Sequence, residues 1–258
     1  MPVGPLFEGV GVALVTLFDD DLGLDAPATA DLAAQLVELG VRAVLVAGTN
    51  GEAAALSPEE RSELLAAVRQ AVPAQRGVPV IAGTGAPSAH QAKRLTAAAR
   101  DGGADAALVL SPPGTTDPRP YYEAVAGAAG AMPVLAYHFP RVSAPGIPVE
   151  ALADLPVVGE KDSSGDPDRL LETLATWDRP VYSGSSALIV YAGALGAAGM
   201  ILGLANAEPE VCAAAFSGDA GAQLRLVSAH KAAQARFPAG IKGLVAARFG
   251  CSPAARLG

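Results

Sequence analysis

Short, continuously apolar runs recur along the chain, separated by stretches with polar and apolar residues at helical spacing. The apolar runs are Val10–Val15, Ala43–Val46, Pro79–Ala82, Ala106–Leu110, Val134–Tyr137, Val157–Lys161, Val181–Ser183 and Gly199–Leu202. Runs this short with no polar alternation predict strands buried on both faces, as in a parallel sheet. The intervening stretches carry helix-start signals. Ser57-Pro58-Glu59-Glu60 and Ser88-Ala89-His90-Gln91 both read as capping boxes, the first with proline at the opening helical position. A helix over Pro27–Leu39 puts Leu32, Leu36 and Leu39 on one stripe, and one opening at Asp166-Pro167 puts Leu170, Leu171 and Leu174 on one face.

Eight strands alternating with eight helices predict a closed (β/α)8 barrel, since right-handed βαβ units repeated eight times close on themselves. An open doubly wound sheet is disfavoured because no G-x-G-x-x-G follows the first strand. Two further helices are expected after the last strand, Asp219–Arg236 and Ile241–Phe249. With no linker or composition break, residues 1–258 read as one domain whose residues 219–258 form C-terminal helices; barrels commonly run roughly 200–250 residues as one domain.

Composition narrows the partners. Acidic residues outnumber basic ones 26 to 18, for a net charge of −8, so no phosphate-neutralising surface is expected and nucleic acid is excluded as a partner. Cys212 and Cys251 give neither a disulfide framework nor metal spacing, which fits a reducing, cytoplasmic setting. The N-terminal stretch has no basic region ahead of its apolar residues and does not read as a signal peptide. Pro180–Ala207 holds no charged residue, but its serines and glycines favour a buried strand, helix and strand over a membrane span.

In such a barrel, chemistry sits where strands end at the C-terminal rim. Lys161 stands out there, because it closes an apolar strand while Lys93, Lys231 and Lys242 fall on helical segments with solvent-facing options. A desolvated lysine has a lowered pKa and a free amine able to attack a carbonyl. A structural pairing with Glu160 or Asp162 explains the same position, and position alone leaves both readings open. If Lys161 faces the barrel interior, Glu160 faces the helices and becomes an ion-pair partner there. Tyr137 ends the neighbouring strand, where its phenol can carry protons or be an ordinary core hydroxyl. His138 faces the other way and reads as structural. Gly48-Thr49-Asn50-Gly51-Glu52 after the second strand offers hydroxyl, amide and N–H donors suited to a carboxylate, or is simply a tight βα turn. No His, Asp or Glu grouping has metal spacing, so neither metal nor cofactor is expected.

Taken together, GTNGE (Gly48–Glu52), LSPEER (Leu56–Arg61), IAGTGA (Ile81–Ala86), GADAALVLSPP (Gly103–Pro113), LAYHFP (Leu135–Pro140), VVGEKDSSGD (Val157–Asp166) and the Tyr182–Ser186 segment resemble the dihydrodipicolinate synthase / N-acetylneuraminate lyase family of pyruvate-dependent class I aldolases. The resemblance implies a lyase that makes or breaks a C–C bond between pyruvate and an aldehyde. It implies that Lys161 forms the Schiff base, Tyr137 shuttles protons with Thr49, Thr49 and Asn50 grip the substrate carboxylate, and Ile201 lines the pyruvate pocket. It also implies a homodimer or homotetramer. The family's synthases carry a relay tyrosine after the fourth strand, where this chain has Pro112-Pro113-Gly114. They carry an arginine five residues beyond the catalytic tyrosine, where this chain has Val142, with Arg141 one residue early. Asn50, KDSSGD and Leu202–Asn206 look closer to the 4-hydroxy-2-oxoglutarate aldolase branch. The chain ends at Gly258, short of the family's last helix, which bears on assembly. A dihydrodipicolinate synthase and a non-catalytic 2-oxo acid binder are the alternatives.

Overall fold

The first apolar run pairs with the last, and that pairing closes the sheet. The computed structural model describes residues 4–257, so Met1–Val3 of the expected N-terminal stretch and Gly258 of the expected C-terminal extension lie outside the described residues. Strands β1 (Gly9–Ala13), β2 (Val44–Val46), β3 (Val80–Gly83), β4 (Ala106–Leu110), β5 (Val134–His138), β6 (Gly159–Asp162), β7 (Val181–Ser183) and β8 (Gly199–Leu202) pair in chain order. All pairs are parallel, and β8 returns to β1 with Ile201 opposite Gly11. The architecture is the (β/α)8 barrel expected from the apolar runs.

Helices α1 (Ala26–Glu38), α2 (Pro58–Ala71), α3 (Ala89–Asp101), α4 (Arg119–Ala129), α5 (Pro167–Thr176), α6 (Ile189–Ala194) and α7 (Pro209–Phe216) connect and surround the strands. One interval departs from the expected alternation. Between β5 and β6 the chain makes only a 3-10 stretch, Val149–Asp154. Pro140, Pro145 and Pro148 lie in that connection, and each removes an N–H that a longer helix would need. After α7 come α8 (Ala220–Arg225), α9 (Val227–Ala235) and α10 (Ala239–Phe249). The single helix expected over Asp219–Arg236 is therefore two, broken where Leu226 turns into the core.

Local signals explain most boundaries. Ser57 and Glu60 form the full reciprocal box, at 3.1 and 2.8 Å. Ser88 makes only half of one. It accepts from the Gln91 N–H, but its hydroxyl donates to the Gln91 side chain, leaving the return arm unmade. β1 stops short of the expected Val15 because the Asn206 side chain takes the Val15 N–H at 3.0 Å. Leu170 is buried, whereas Leu171 is 46% exposed, correcting the expectation that both share the inner face. Consecutive helical residues point about 100° apart, so one of the two had to face out. Pro180–Ala207 is a strand, a short helix, a strand and a 3-10 turn, and no described helix is long and apolar enough to cross a membrane.

Strand alternation divides the core in two. Leu45, Ile81, Leu108, Leu135, Tyr137 and Ile201 fill the barrel interior, while the intervening residues pack under the helices. Phe7 closes the N-terminal end of the barrel, stacked on Tyr182 at 4.6 Å between centroids. The packed floor leaves the C-terminal rim as the open end.

Candidate active site

β6 places Lys161 inside the barrel near that rim, with Tyr137 of β5 as its Cα partner. Lys161 is 2% exposed, and its Nζ sits 4.5 Å from the centroid of the Tyr137 ring. Burial pulls the amine down from 10.5 to about 7. No carboxylate relieves it, because the neighbouring acids face outward. Glu160 accepts from Arg169 of α5 at 2.6 Å, and Asp162 lies 3.8 Å from the same guanidinium. Glu160 is fully buried, and desolvation raises its carboxyl to about 7 in spite of Arg169. The outward ion pair expected for Glu160 is thus made with Arg169, and the alternative of Lys161 as a structural partner of Glu160 or Asp162 is not what the side chains adopt.

The Tyr137 hydroxyl lies 3.4 Å from Thr49 Oγ1, with Ser163 also beside it, and burial raises the phenol's pKa. Thr49 and Asn50 sit in the turn after β2. Its backbone is held in the left-handed region at two non-glycine residues, Ala47 (φ 50°) and Glu52 (φ 53°), a conformation that persists only when surroundings enforce it. The main-chain N–H groups of Thr49 and Asn50 find no acceptor among the described residues. Asn50 reaches the residue that follows β8, its amide oxygen 2.5 Å from where a Cβ on Gly203 would stand, so a side chain there would displace the Asn50 amide. Ile201 is buried in the barrel interior with Tyr137. The five residues singled out from sequence therefore lie in the turn after β2 and on β5, β6 and β8, around one end of the barrel.

Two further groups belong to this cluster. A Cβ on Gly184 would fall 1.9 Å from Ser163 Oγ and 2.9 Å from Lys161 Cε. Glycine after β7 is what lets the lysine and Ser163 lie side by side. Both positions are visible as strand-end residues, but their contact is long-range and leaves no local signal.

The loops after β4 and β5 shape the entrance. Gly114 donates to the Ala144 carbonyl at 2.7 Å, and the Ser143 hydroxyl donates to that of Ser111 at 2.6 Å, so the two loops are laced together. No phenol stands at the relay position. Tyr121 is spent on Ala86 and Tyr122 on the Val109 carbonyl. Val142 is 44% exposed, while Arg141 turns away to Gln234 and lies over Phe237. From Thr49 a groove of about 1040 Å³ runs outward past Ser111, Pro113 and Val142 toward α2 and α3. His138, at the end of β5, accepts the Ile147 N–H at Nδ1, and burial holds it down to about 4, as befits a neutral structural histidine. Among the described residues no three His, Cys, Asp or Glu side chains cluster as metal ligands.

One expectation fails outright. Lys242 is on a helix, as read from sequence, but it is not solvent-facing. Its side chain is fully buried against Glu52.

Comparison with known proteins gives the following likenesses. The model of the dihydrodipicolinate synthetase family matches residues 6–241. A 4-hydroxy-tetrahydrodipicolinate synthase of Pseudomonas aeruginosa is 37% identical over 246 residues, covering 88% of this chain and 83% of that relative. YagE, an Escherichia coli K12 prophage protein of the dihydrodipicolinic acid synthase family solved in complex with pyruvate, superposes with a TM-score of 0.86 at 26% identity, covering 98% of this chain and 94% of that one. A monomeric dihydrodipicolinate synthase variant superposes with a TM-score of 0.88 at 25% identity, covering 98% and 90%.

Proposed function

The chain belongs to the dihydrodipicolinate synthetase family, the pyruvate-dependent class I aldolases, and is a carbon–carbon lyase of that group; from that premise we propose that Lys161 is the amine that condenses with the 2-oxo acid. The observation that carries this is the buried amine itself, held near a pKa of about 7 over the Tyr137 ring while both neighbouring carboxylates are engaged by Arg169.

In this reading the neutral Lys161 amine adds to C2 of the 2-oxo acid, and the carbinolamine loses water to give a protonated imine. Tyr137 supplies the proton for the departing hydroxyl. The resulting phenolate, its basicity raised by burial, takes the proton of the C4 hydroxyl as the C3–C4 bond breaks. The bond's electron pair moves into the imine to form an enamine, and the aldehyde leaves. Protonation at C3 and hydrolysis release pyruvate and the free amine. Thr49 and Asn50 hold the carboxylate through hydroxyl, amide and N–H donors, with Thr49 also passing protons to Tyr137. Ile201 packs on the pyruvyl carbon skeleton. Pyruvate as the 2-oxo acid is supported by the pyruvate complex of the similar YagE structure.

Synthesis of 4-hydroxy-tetrahydrodipicolinate, the activity named for the Pseudomonas aeruginosa relative, shares the first half of this sequence. Gly114 and Val142 stand where that reaction's relay phenol and carboxylate-binding arginine are expected, which favours cleavage of a 4-hydroxy-2-oxo acid. The test is borohydride trapping of pyruvate on the Lys161 peptide, followed by a panel of 2-oxo acids assayed for pyruvate release. An absent or displaced adduct refutes the reading, and turnover of pyruvate with aspartate semialdehyde favours the synthase. The single barrel domain with its C-terminal helices is further proposed to act in the cytoplasm as a homodimer or homotetramer, which light scattering on the purified protein checks.

A further inference from the structure

We propose that Glu52, locked by Lys242 and the C-terminal tail, is a positioning residue that sets the Thr49–Asn50 turn for the carboxylate of the 2-oxo acid; this rests on the aldolase reading above. Glu52 closes the turn that carries Thr49 and Asn50, and its N–H donates to the Thr49 carbonyl at 3.2 Å. Its left-handed backbone and its buried carboxylate both need a reason.

The reason lies in two distant parts of the chain. One carboxylate oxygen pairs with Lys242 of α10, the side chains of both residues having no exposure. The other accepts the Leu257 N–H at 2.5 Å. Lys242 also donates to the Ala254 carbonyl at 2.7 Å, which ties α10 to the tail. Arg256 then fixes the tail from outside. It grips Glu60 of α2 with two bonds, at 2.6 and 2.9 Å, and donates to the Ala55 and Leu22 carbonyls at 2.9 Å. Lys242 and Arg256 both lie on the ring of Phe18, at 4.1 and 4.3 Å.

A buried ion pair is a weak source of stability, and in this proposal its role is to select one geometry. Here the selected geometry is that of the segment bearing the carboxylate donors. Glu52 and Leu257 line the same groove as Thr49, so the tail is bound beside the turn that carries the carboxylate donors. A displaced Glu52 shifts Thr49 through one hydrogen bond, without touching Lys161.

The consequence is a specific kinetic split. In Glu52→Gln and in Arg256→Gln, the pyruvate concentration that half-saturates borohydride trapping on Lys161 rises about tenfold or more, while the limiting trapping rate stays within about threefold. Val245→Ala, a cavity in α10 that leaves the Glu52, Lys242 and Arg256 side chains themselves in place, lowers the melting temperature and leaves half-saturation unchanged. If Glu52→Gln does not fold, Arg256→Gln decides, because its partly exposed side chain can be replaced without opening the core. Unchanged half-saturation in the folded variants, or an equal shift in Val245→Ala, overturns the proposal. A wild-type enzyme that traps no pyruvate on Lys161 defeats the aldolase reading itself, and this inference with it.

Discussion

Lys161 and Tyr137 sit opposite each other across β5 and β6, the ammonium nitrogen 4.5 Å from the ring centroid and the phenol oxygen 3.4 Å from Thr49. The register of two adjacent strands therefore fixes amine, phenol and turn together. A one-residue slip of either strand would send one of the two side chains out to the helices.

Lys161→Arg separates nucleophile from charge. Guanidinium stays protonated and cannot condense, yet it keeps a cation at the strand end. The variant is expected to fold, to lose borohydride trapping entirely and to release no pyruvate from any 2-oxo acid. Circular dichroism and peptide mass analysis check this, and retained aldol activity would sink the imine mechanism.

Tyr137→Phe removes one hydroxyl from an aromatic of nearly equal volume. Turnover should fall by about 10²–10⁴, the range for a positioned proton carrier, with little change in melting temperature. Near-native turnover would pass the proton's path to water or to Ser163, which also lies beside the phenol.

The barrel was legible in the sequence because the strands lie in or close short apolar runs and most helices open on proline or a capping serine or aspartate, α6 and α9 being the exceptions. The placement of Lys161 was legible for the same reason, since a lysine closing an apolar run is conspicuous. What stayed hidden depends on partners far along the chain. Lys242 reads as an ordinary helical lysine until Glu52 is folded against it, 190 positions away in sequence terms. The contact of Gly184 with Ser163 and Lys161 likewise arises only when β6 and β7 pair. Periodicity reports which face is buried, not what lies on the other side of it.

Imine formation should rise with pH around neutrality. The free enzyme's amine is held down to about 7, so it is mostly protonated at pH 6 and mostly free at pH 8. Below that value the rate of pyruvate trapping should drop about tenfold per pH unit, and above it the rate should level off. A limb near 10 instead would mean that Lys161 is solvated in solution.

Gly184→Ala tests the crowding beside the lysine. The added methyl would meet Ser163 Oγ at 1.9 Å and Lys161 Cε at 2.9 Å, so one of them must move. Displacement of about 1 Å in a reacting group costs on the order of 10²-fold in rate. Trapping and pyruvate release should fall together by about that factor, with Lys161 still the only residue labelled. Wild-type rates would show that Ser163 rotates away without consequence.

Arg169→Leu tests the outward side of β6. Arg169 is the cation beside both Glu160 and Asp162, and its loss leaves Glu160 buried without a counter-charge. Removing one partner of a buried pair costs about 3–5 kcal/mol. The pH dependence follows from the direction of the Glu160 shift. Its folded value, about 7, lies above the ordinary 4.5, so the folded state already holds on to a proton that the unfolded state releases in between. Stability from this group is therefore present at low pH and is lost as pH rises toward 7. Without Arg169 the folded carboxyl is pushed higher still, and the loss extends further upward. Urea unfolding should find the variant's deficit small near pH 5 and largest above pH 7. A deficit that is flat with pH would mean that Glu160 is charged throughout, and that Arg169 contributes by packing alone.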